Sequence, residues 1–451
     1  MTRQPTVKSR DLTTVQPFLM PWPQPGPPDD AFPDRRSPSE GKPDIAALTA
    51  AFPDRPVGNA FIDAALAAVR SEKTFAAVAA RIDSMPGKAM DNTEDGHDPI
   101  EAARVASTVI EARGGRWSFI ESDLIGCVFP GADGEDGDRA AQIIRDSVER
   151  LGIGTVTTGV AVFPFHDFTP RQTIRNAEKA VHHAAFFGPG SSARFDAVSL
   201  NVSGDMLYQR GEVDAALAEF QTALALDPEN ANVQNSLGVC YGIRKEYDQA
   251  LAAFEAAITA DPSEFTAVYN AGLVHLLMNS PEKAMEYFER AAPQGEDVFE
   301  IQFQTGKLLV ELGREEDAVP YLEKAAALEP ESSQPHRLLG EIQDRLGNQQ
   351  SALAHLKRAV RINPFDAASL SSLGRLYSDQ GENIDICITF CRQSVEIDPR
   401  IGLYHLRLAE LYRKAGKQSE ALNAFRRARD LGTNCEKEIA EIELDTAREA
   451  S

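Results

Sequence analysis

The chain has 451 residues, a formal net charge of −22 and an isoelectric point near 4.9, with 43% hydrophobic and 25% charged residues. This length exceeds what one hydrophobic core supports, so at least two folded units are expected. The acidic excess disfavours general affinity for nucleic acid or for anionic membranes, because both attract Lys and Arg. Acidity alone identifies no partner, since its commonest consequence is solubility.

The cysteines and the apolar runs indicate the compartment. Five cysteines are an odd number and lack the spacing of a disulfide framework, which suits a reducing environment. No run of about 18 apolar residues is present, and no hydrophobic stretch follows Arg3 and Lys8 as it would in a signal peptide. We therefore expect a cytoplasmic protein without a membrane partner. Cys387 and Cys391 lie four residues apart, but without an adjacent His or third Cys their spacing favours packing over metal or redox chemistry.

Residues 1–43 are dominated by Pro, Asp and Arg, as in PWPQPGPPDD. Such a segment buries too little apolar area to offset the entropy of ordering it, so a disordered leader is predicted. The apolar residues at 18–22 leave open a short docking motif.

Residues 44–201 alternate between helical and strand patterns. The patterns predict helices over 63–70, 99–113, 138–151 and 170–187, and strands over 75–82, 117–121, 124–129, 155–165 and 193–198. The order is typical of an α+β, ferredoxin-like unit in which helices cover one face of the sheet.

Three stretches of this unit resemble a known family. GTVTTGVAVFPF followed by TPRQTIRNAEKAVHHAAFFGPGSSARFD resembles the C-terminal half of the GGDEF domain of diguanylate cyclases. ESDLIGCVFPGAD stands where that family has its signature hairpin, and DGHDPIEAARVAS is similar to its GH-x-x-GD helix start. The resemblance implies a nucleotidyl-cyclase-like fold, which in active members holds GTP with two metal ions bound by carboxylates.

The positions that carry this chemistry are altered here. Arg81 stands where the family has a metal-binding Asp, Glu121 brings negative charge to a place that should face an anion, and Leu124 removes a carboxylate. The full set of degenerate signature positions is Arg81, Glu121, Ser122, Asp123 and Leu124. We therefore predict no catalytic residue, no metal, no cofactor and no enzymatic activity.

Two further expectations concern charged side chains of this unit. If Arg81 and Asp123 lie at neighbouring strand ends, a salt bridge between them would replace the lost metal. His182 and His183 lie on a helix where the family has packing and solvent positions, and His97 has no visible ligand partner. We predict no catalytic role for these three histidines.

The second half of the chain is periodic. The stretch 231–262, ANVQNSLGVCYGIRKEYDQALAAFEAAITADP, resembles a tetratricopeptide repeat, an antiparallel helix pair with small residues where the helices approach. Glycine recurs every 34 residues, the period of that family, at Gly238, Gly272, Gly306, Gly340 and Gly374. We predict about seven repeats over 202–433 that form an all-α superhelix, followed by a capping helix over 434–451.

Stacked repeats of this family form a groove lined by the first helix of each pair. The groove candidates are Asn235, Tyr269, Asn270, Phe303, Gln304, Lys307, Arg337, Arg375 and Arg407. Amides suit a peptide backbone, aromatic residues supply anchors, and the cations suit carboxylates. The alternative is that these are ordinary exposed helix residues. The pattern predicts a protein or peptide partner, of acidic or C-terminal type.

Three functions follow from these features. The first is a protein-interaction scaffold, with the inactive GGDEF-like domain as a docking or homodimerisation unit. The second is a pseudoenzyme that senses a nucleotide or cyclic-di-GMP, and the third is an atypical diguanylate cyclase. We favour the scaffold, because the repeats match their family closely and the cyclase-like site departs from its own.

Overall fold

The first half of the described chain contains a five-stranded sheet in the order β2-β3-β1-β4-β5. Its strands are β1 (Phe75–Ile82), β2 (Arg116–Glu121), β3 (Leu124–Pro130), β4 (Val156–Phe163) and β5 (Ser192–Arg194). Neighbouring strands are antiparallel except for β4 and β5, which are parallel. The computed structural model describes residues 50–83, 99–152 and 154–449. The predicted leader and His97 therefore lie outside the described residues.

Within the described residues, four helices accompany the sheet: α1 (Asn59–Val69), α2 (Pro99–Ala112), α3 (Gly134–Arg150) and α4 (Pro170–Ala185). Reciprocal side-chain caps fix where two of them begin. Asp133 and Asp136 form a capping box at α3, and Thr169 and Gln172 form one at α4, where Pro170 occupies the first turn. The starts of α3 and α4 are thus set by local sequence signals.

Helices cover both faces of the sheet. In β1, Phe75, Ala77 and Ala79 belong to the core on the α1 and α4 side. The alternate residues Val78 and Ala80 belong to the core on the α2 and α3 side. The expectation that helices cover only one face is therefore wrong. The reason is visible in β1 itself, whose sequence FAAVAARI is apolar at nearly every position and suits burial on both faces.

A new helix, α5 (Ala197–Gln209), follows β5 directly. Asp196 accepts a hydrogen bond from the Ser199 amide and so starts this helix as its N-cap. The strand predicted over 193–198 consequently ends at Arg194, and the domain boundary predicted at 202 falls inside a helix. Only residues 195 and 196 separate β5 from this helix, so both the end of the sheet and the start of the repeats come earlier than predicted.

The sheet domain and the first repeat share one core. Ile174 and Val181 of α4 belong to the same buried cluster as Leu200 of α5 and Phe220 of the next helix, α6 (Val213–Leu226). Lys179 of α4 also pairs with the Glu219 carboxylate of α6, with Nζ 2.7 and 2.8 Å from its two oxygens. The sheet domain therefore covers the first end of the helical array, an end that a solenoid must cap.

The array continues as helix pairs to the end of the described residues. After the α5/α6 pair come α7 (Ala231–Ile243), α8 (Tyr247–Ala260), α9 (Phe265–Leu277), α10 (Pro281–Ala291), α11 (Phe299–Glu311), α12 (Glu315–Leu328), α13 (Ser333–Arg345), α14 (Gln349–Ile362), α15 (Ala367–Asp379), α16 (Ile384–Ile397), α17 (Gly402–Lys414) and α18 (Gln418–Asp430). The last helix is α19 (Glu436–Glu449). The chain divides into two units, Met1–Asn270 and Ala271–Ser451.

The recurring glycines allow the two helices of each pair to approach. A Cβ at Gly238 would lie 2.5 Å from the ring of Phe254, and one at Gly306 would lie 2.7 Å from Leu322. In the sixth pair the partner of Gly374 is Cys391, one residue later than the period demands, because the turn before α16 near Asn383 has one more residue than the other turns.

The turn inside each pair requires a left-handed residue. Gly occupies this place in five of the seven described pairs, at Gly211, Gly313, Gly347, Gly381 and Gly416. In the second and third pairs Lys245 and Asn279 adopt φ values of 62° and 56°. These two side chains hold a backbone conformation that Gly adopts at lower cost.

Candidate functional site

The degenerate signature positions surround the turn between β2 and β3. Arg81 lies opposite Leu124 in the β1–β3 register, and Leu124 is buried in the core beneath α4. Ser122 is buried, and the backbone carbonyl of Asp123 accepts the Ile82 amide at 3.0 Å. The turn is therefore packed as part of the fold.

The predicted salt bridge between Arg81 and Asp123 is wrong. The Arg81 guanidinium lies 3.4 Å from Nδ1 of His182 on α4, while the buried Oδ1 of Asp123 has no hydrogen-bond partner among the described residues. The reason is the strand alternation: Arg81 lies on the face of β1 that α4 covers, whereas Asp123 belongs to the turn beyond the strand.

Asp83, the carboxylate that remains at the end of β1, has a structural role. Its Oδ2 accepts hydrogen bonds from the Thr155 hydroxyl at 2.9 Å, the Thr157 hydroxyl at 3.0 Å and the Gly190 amide at 2.9 Å. Three neutral donors thus hold this oxygen and join the end of β1 to the neighbouring segments. No group of three or more His, Cys, Asp and Glu side chains suited to a metal occurs within residues 50–83, 99–152 and 154–449.

A second polar cluster lies on α4 beside the turn. Arg175 donates two hydrogen bonds to the Glu178 carboxylate, at 2.9 and 3.0 Å, and a third to Asn59. Burial raises the pKa of the Glu178 carboxyl, an effect that Arg175 opposes and to which the nearby charge of Glu121 adds. The cluster therefore carries mixed charge where an anion-binding site would present mainly donors and cations.

Two of the amide candidates of the repeats, Asn235 and Asn270, are fully buried. Asn270 donates to the Asn235 side-chain carbonyl at 2.9 Å, and Asn235 contacts the Thr266 hydroxyl at 3.5 Å. Tyr269 also has no exposed surface. Within the first unit these side chains join α7 to α9, and their place in a groove stays a prediction.

Two further candidates on α11 are largely buried. Phe303 is 6% exposed and its ring stacks on Phe299 with centroids 5.5 Å apart, while Gln304 is 8% exposed. Lys307, on the same helix, is exposed. Its ammonium group makes no ion pair or side-chain hydrogen bond with the described residues, so among the α11 candidates it is the one whose charge is available to a partner.

Two arginine candidates are paired within the chain. Arg337 on α13 lies 3.5 Å from Glu341 and 3.7 Å from Asp366. Arg375 on α15 contacts Asp344 and lies 2.8 Å from Asp379. Glu341 and Asp379 lie on the same helix as their arginine, whereas the contacts with Asp366 and Asp344 join successive repeats. All four carboxylates offset charges that we expected to be available to a ligand.

Arg407 on α17 is different. Its Nη1 donates hydrogen bonds to the hydroxyls of Ser371 and Ser372 on α15, each at 3.1 Å, and no carboxylate of the described residues lies within ion-pair distance. Burial lowers the pKa of this guanidinium, and the charge of Arg375 adds to that effect. A largely buried cation whose acceptors are hydroxyl groups alone is favourably placed to receive an anion.

Sequence reasoning missed several partners of these arginines, namely Asp366, Ser371, Ser372 and Asp379. A signal was present, because contacts between first helices of successive repeats recur at separations close to the repeat length. Arg375 and Asp344 are 31 residues apart, and Arg407 and Ser372 are 35 apart. A search for opposite charges at these separations would have found Asp344 for Arg375.

Models of known families match the helical array. A model described as TPR repeat matches residues 204–242, and one described as tetratricopeptide repeat matches residues 244–298 and 303–367. The chain therefore contains tetratricopeptide repeats, and this part of the prediction is confirmed.

Several solved structures are similar to the chain. YrrB, a TPR protein with an unusual peptide-binding site, is 26% identical, with 39% of this chain and 91% of that one covered and a TM-score of 0.35. Pseudomonas aeruginosa PilF is 19% identical, with 48% and 98% covered and a TM-score of 0.41. MamA from Desulfovibrio magneticus RS-1 is 25% identical, with 37% and 94% covered and a TM-score of 0.34.

No curated protein matches the chain. Among the described helices, none has both the length and the apolar composition needed to cross a membrane.

Proposed function

We propose that the repeats of this chain bind a protein or peptide partner and that the chain serves as an interaction scaffold. Tetratricopeptide repeats generally mediate protein–protein interaction, and family models match them from residue 204 to residue 367. The observation that carries the proposal is Arg407, a guanidinium held by the hydroxyls of Ser371 and Ser372 and lacking a carboxylate among the described residues. A carboxylate of the partner supplies the missing charge.

The partner is a peptide with a free C-terminal or acidic side-chain carboxylate. The internal pairs of Arg337 and Arg375 leave Arg407 and the exposed Lys307 as the cations that drive recognition among the nine candidates. Reversing the charge of Arg337 and Arg375 would therefore test binding poorly, because it would place acidic residues beside Glu341 and Asp344 and disturb the fold.

A sharper test uses Arg407→Gln in the full chain and an array of peptides with free carboxyl termini. Arg392→Gln is the matched control, because Arg392 is an exposed arginine on α16, a second helix of a pair. We expect peptides that bind the native chain to lose at least about tenfold in affinity with Arg407→Gln, since hydrogen bonds to charged groups contribute about 1.5–3 kcal/mol each. Equal binding by both variants would remove Arg407 from the site.

For the sheet domain we propose an inactive, GGDEF-like unit that serves for docking or for homodimerisation. Support comes from the buried Leu124, the contact of Arg81 with His182 and the three neutral donors on Asp83. Incubation with GTP and Mg²⁺ is expected to yield no cyclic dinucleotide. Product formation that Asp83→Asn abolishes would establish the cyclase alternative.

One observation favours nucleotide sensing as the second candidate. Helix α4 carries both His182, which contacts Arg81, and Lys179, which pairs with Glu219 of the first repeat. A ligand beside Arg81 would therefore act on a helix that also packs on the repeats. Calorimetric titration of the full chain with GTP and with cyclic-di-GMP distinguishes the two candidates. Nucleotide sensing predicts a heat of binding, whereas the scaffold alone predicts none.

A further inference from the structure

The helix that carries Arg407 also carries a carboxylate without a partner in the described chain. Glu410 lies one turn after Arg407 on α17 and is half-buried. Its carboxylate makes no ion pair and no side-chain hydrogen bond with the described residues. Glu410 is the ninth residue of its helix, as Arg375 is on α15 and Lys307 is on α11. It therefore occupies the same place in its repeat as two of the groove candidates.

A second carboxylate lies beside Glu410 on the last helix. Arg413 of α17 lies 3.5 Å from Glu441 of α19, and this ion pair fixes how the two helices align. Glu410 and Glu438 each lie three residues before a member of that pair, on alternate helices of the array that run in the same direction, so they lie side by side. Glu438 is also half-buried and has no ion pair or side-chain hydrogen bond within the described ranges. Two carboxylates therefore lie together, each without a cation at ion-pair distance.

The cations near Glu410 are held by other groups. Lys414 lies 3.7 Å from Asp379. Arg413 pairs with α19, and Arg407 donates to the hydroxyls of α15. Burial raises the pKa of the Glu410 carboxyl, the charges of Arg413, Arg407 and Lys414 oppose this, and the neighbouring carboxylate of α19 adds to it. A half-buried carboxylate in these surroundings is stabilised by a further cation.

We propose that the peptide partner has Lys or Arg as one of its last two residues and that Glu410 binds this basic side chain. The inference rests on the proposed function, in which Arg407 receives the terminal carboxylate of the peptide. Residues three apart on a helix have Cβ atoms about 5–6 Å apart, and one residue of an extended peptide spans about 3.3–3.6 Å. A terminal carboxylate at Arg407 therefore leaves the side chain of the last or the penultimate residue within reach of Glu410. Glu438 adds to the negative charge that this side chain meets.

The same two carboxylates disfavour an acidic tail. Asp or Glu next to the terminal carboxylate of a peptide would bring like charges together at Glu410 and Glu438. Of the two kinds of partner expected from the sequence, the C-terminal peptide therefore fits this end of the array and the acidic peptide does not.

The test is an array of hexapeptides that have Lys or Arg as one of their last two residues. Each is paired with the same peptide carrying Gln in that place, and every peptide is made with a free carboxyl terminus and as the amide. Titration with the fluorescently labelled full chain measures the affinities. We expect the native chain to bind the basic member of a pair at least about fivefold more tightly, because the charge pair is half-buried.

Glu410→Gln should abolish this preference and leave the affinity for the Gln peptides unchanged. The matched control is Glu396→Gln, because Glu396 is an exposed carboxylate on α16, a second helix of a pair. This control should keep the preference. A preference that survives in Glu410→Gln would show that Glu410 does not bind the basic side chain.

The native chain alone can also overturn the inference, so the test does not depend on a variant that folds. If the native chain binds both members of every pair equally while amidation weakens binding, the choice of a basic residue is wrong and recognition of the carboxylate stands. If the amides bind as tightly as the free acids, recognition of the terminal carboxylate by Arg407 is wrong, and this inference fails with it. Binding of no peptide by the native chain contradicts both.

Discussion

The sheet domain and the repeats both pack a helix against a glycine, but the atoms that meet the glycine differ. A Cβ at Gly159 of β4 would lie 2.3 Å from the Ala177 carbonyl oxygen and 2.4 Å from the Val181 amide nitrogen, both backbone atoms of α4. A Cβ at Gly238 would lie 2.5 Å from the ring of Phe254. A side chain can move slightly and a helix backbone cannot, so the sheet domain should tolerate change less than a repeat does.

The largest expected effect comes from Gly159→Ala. Its methyl group would force α4 away from the sheet, so we expect the free energy of unfolding of the sheet domain to fall by more than about 3 kcal/mol. The unfolding of this domain in urea is followed by the fluorescence of the buried Trp117, in a Trp22→Phe background that removes the other tryptophan. A loss below about 1 kcal/mol would contradict the close contact with α4.

Gly238→Ala should have a smaller effect. The ring of Phe254 can shift, and the seventh pair already carries Ala409 against Phe425. We expect a loss of about 1–2 kcal/mol, measured by circular dichroism during urea unfolding. If Gly238→Ala costs as much as Gly159→Ala, the proposed difference between side-chain and backbone neighbours fails.

Lys245→Gly should stabilise the second repeat. Lys245 is exposed and has a φ of 62°, which costs a residue with a Cβ about 1–2 kcal/mol relative to Gly. The larger entropy of Gly in the unfolded chain offsets part of this, so a gain of about 0.5–1 kcal/mol is expected. The matched reversal is Gly347→Lys, with a φ of 79° in the native chain, which should destabilise the fifth repeat when measured in the same way.

The smallest effect concerns pH. The folded repeat lowers the pKa of His336 and of His355, so the unfolded chain binds more protons below its own histidine pKa. Stability should therefore be complete above about pH 6.5 and decline as the pH falls below that value. His355→Gln should flatten this decline in urea midpoints taken from pH 7.5 to 5.5, whereas His166→Asn should not change it.

The sheet domain and the repeats also differ in how much of their structure could be predicted from the sequence. The helix pairs could be predicted because the same type of small residue and the same type of turn recur at intervals of about 34 residues. Even the insertion near Asn383 was visible, since it shifts Cys391 relative to Gly374. All four helices beside the sheet were predicted, but their placement on both faces was not. The reason is that β1 is apolar at nearly every position, so the sequence shows no alternation that would indicate whether one face or both are covered.

Site contacts were less predictable, because each occurs once. Arg81 was expected to meet Asp123 and meets His182, a residue 101 positions away in the sequence. The partners of Arg375 and Arg407 lie on the neighbouring repeat, so a residue's position within its own repeat says nothing about whether its charge is already paired. In the sheet domain and in the repeats alike, the partner of a charged side chain depends on how neighbouring elements align in the folded protein.

The most direct measurement compares Phe220→Ala with Phe425→Ala, two fully buried residues at the same place in the first and seventh pairs. Because Phe220 belongs to the core that the sheet domain shares with the first repeat, its loss should lower the Trp117 unfolding transition by about 3–5 kcal/mol. Phe425→Ala should leave that transition unchanged and lower only the helical signal. If Phe220→Ala leaves the unfolding transition reported by Trp117 unchanged, the sheet domain and the first repeat do not share a core.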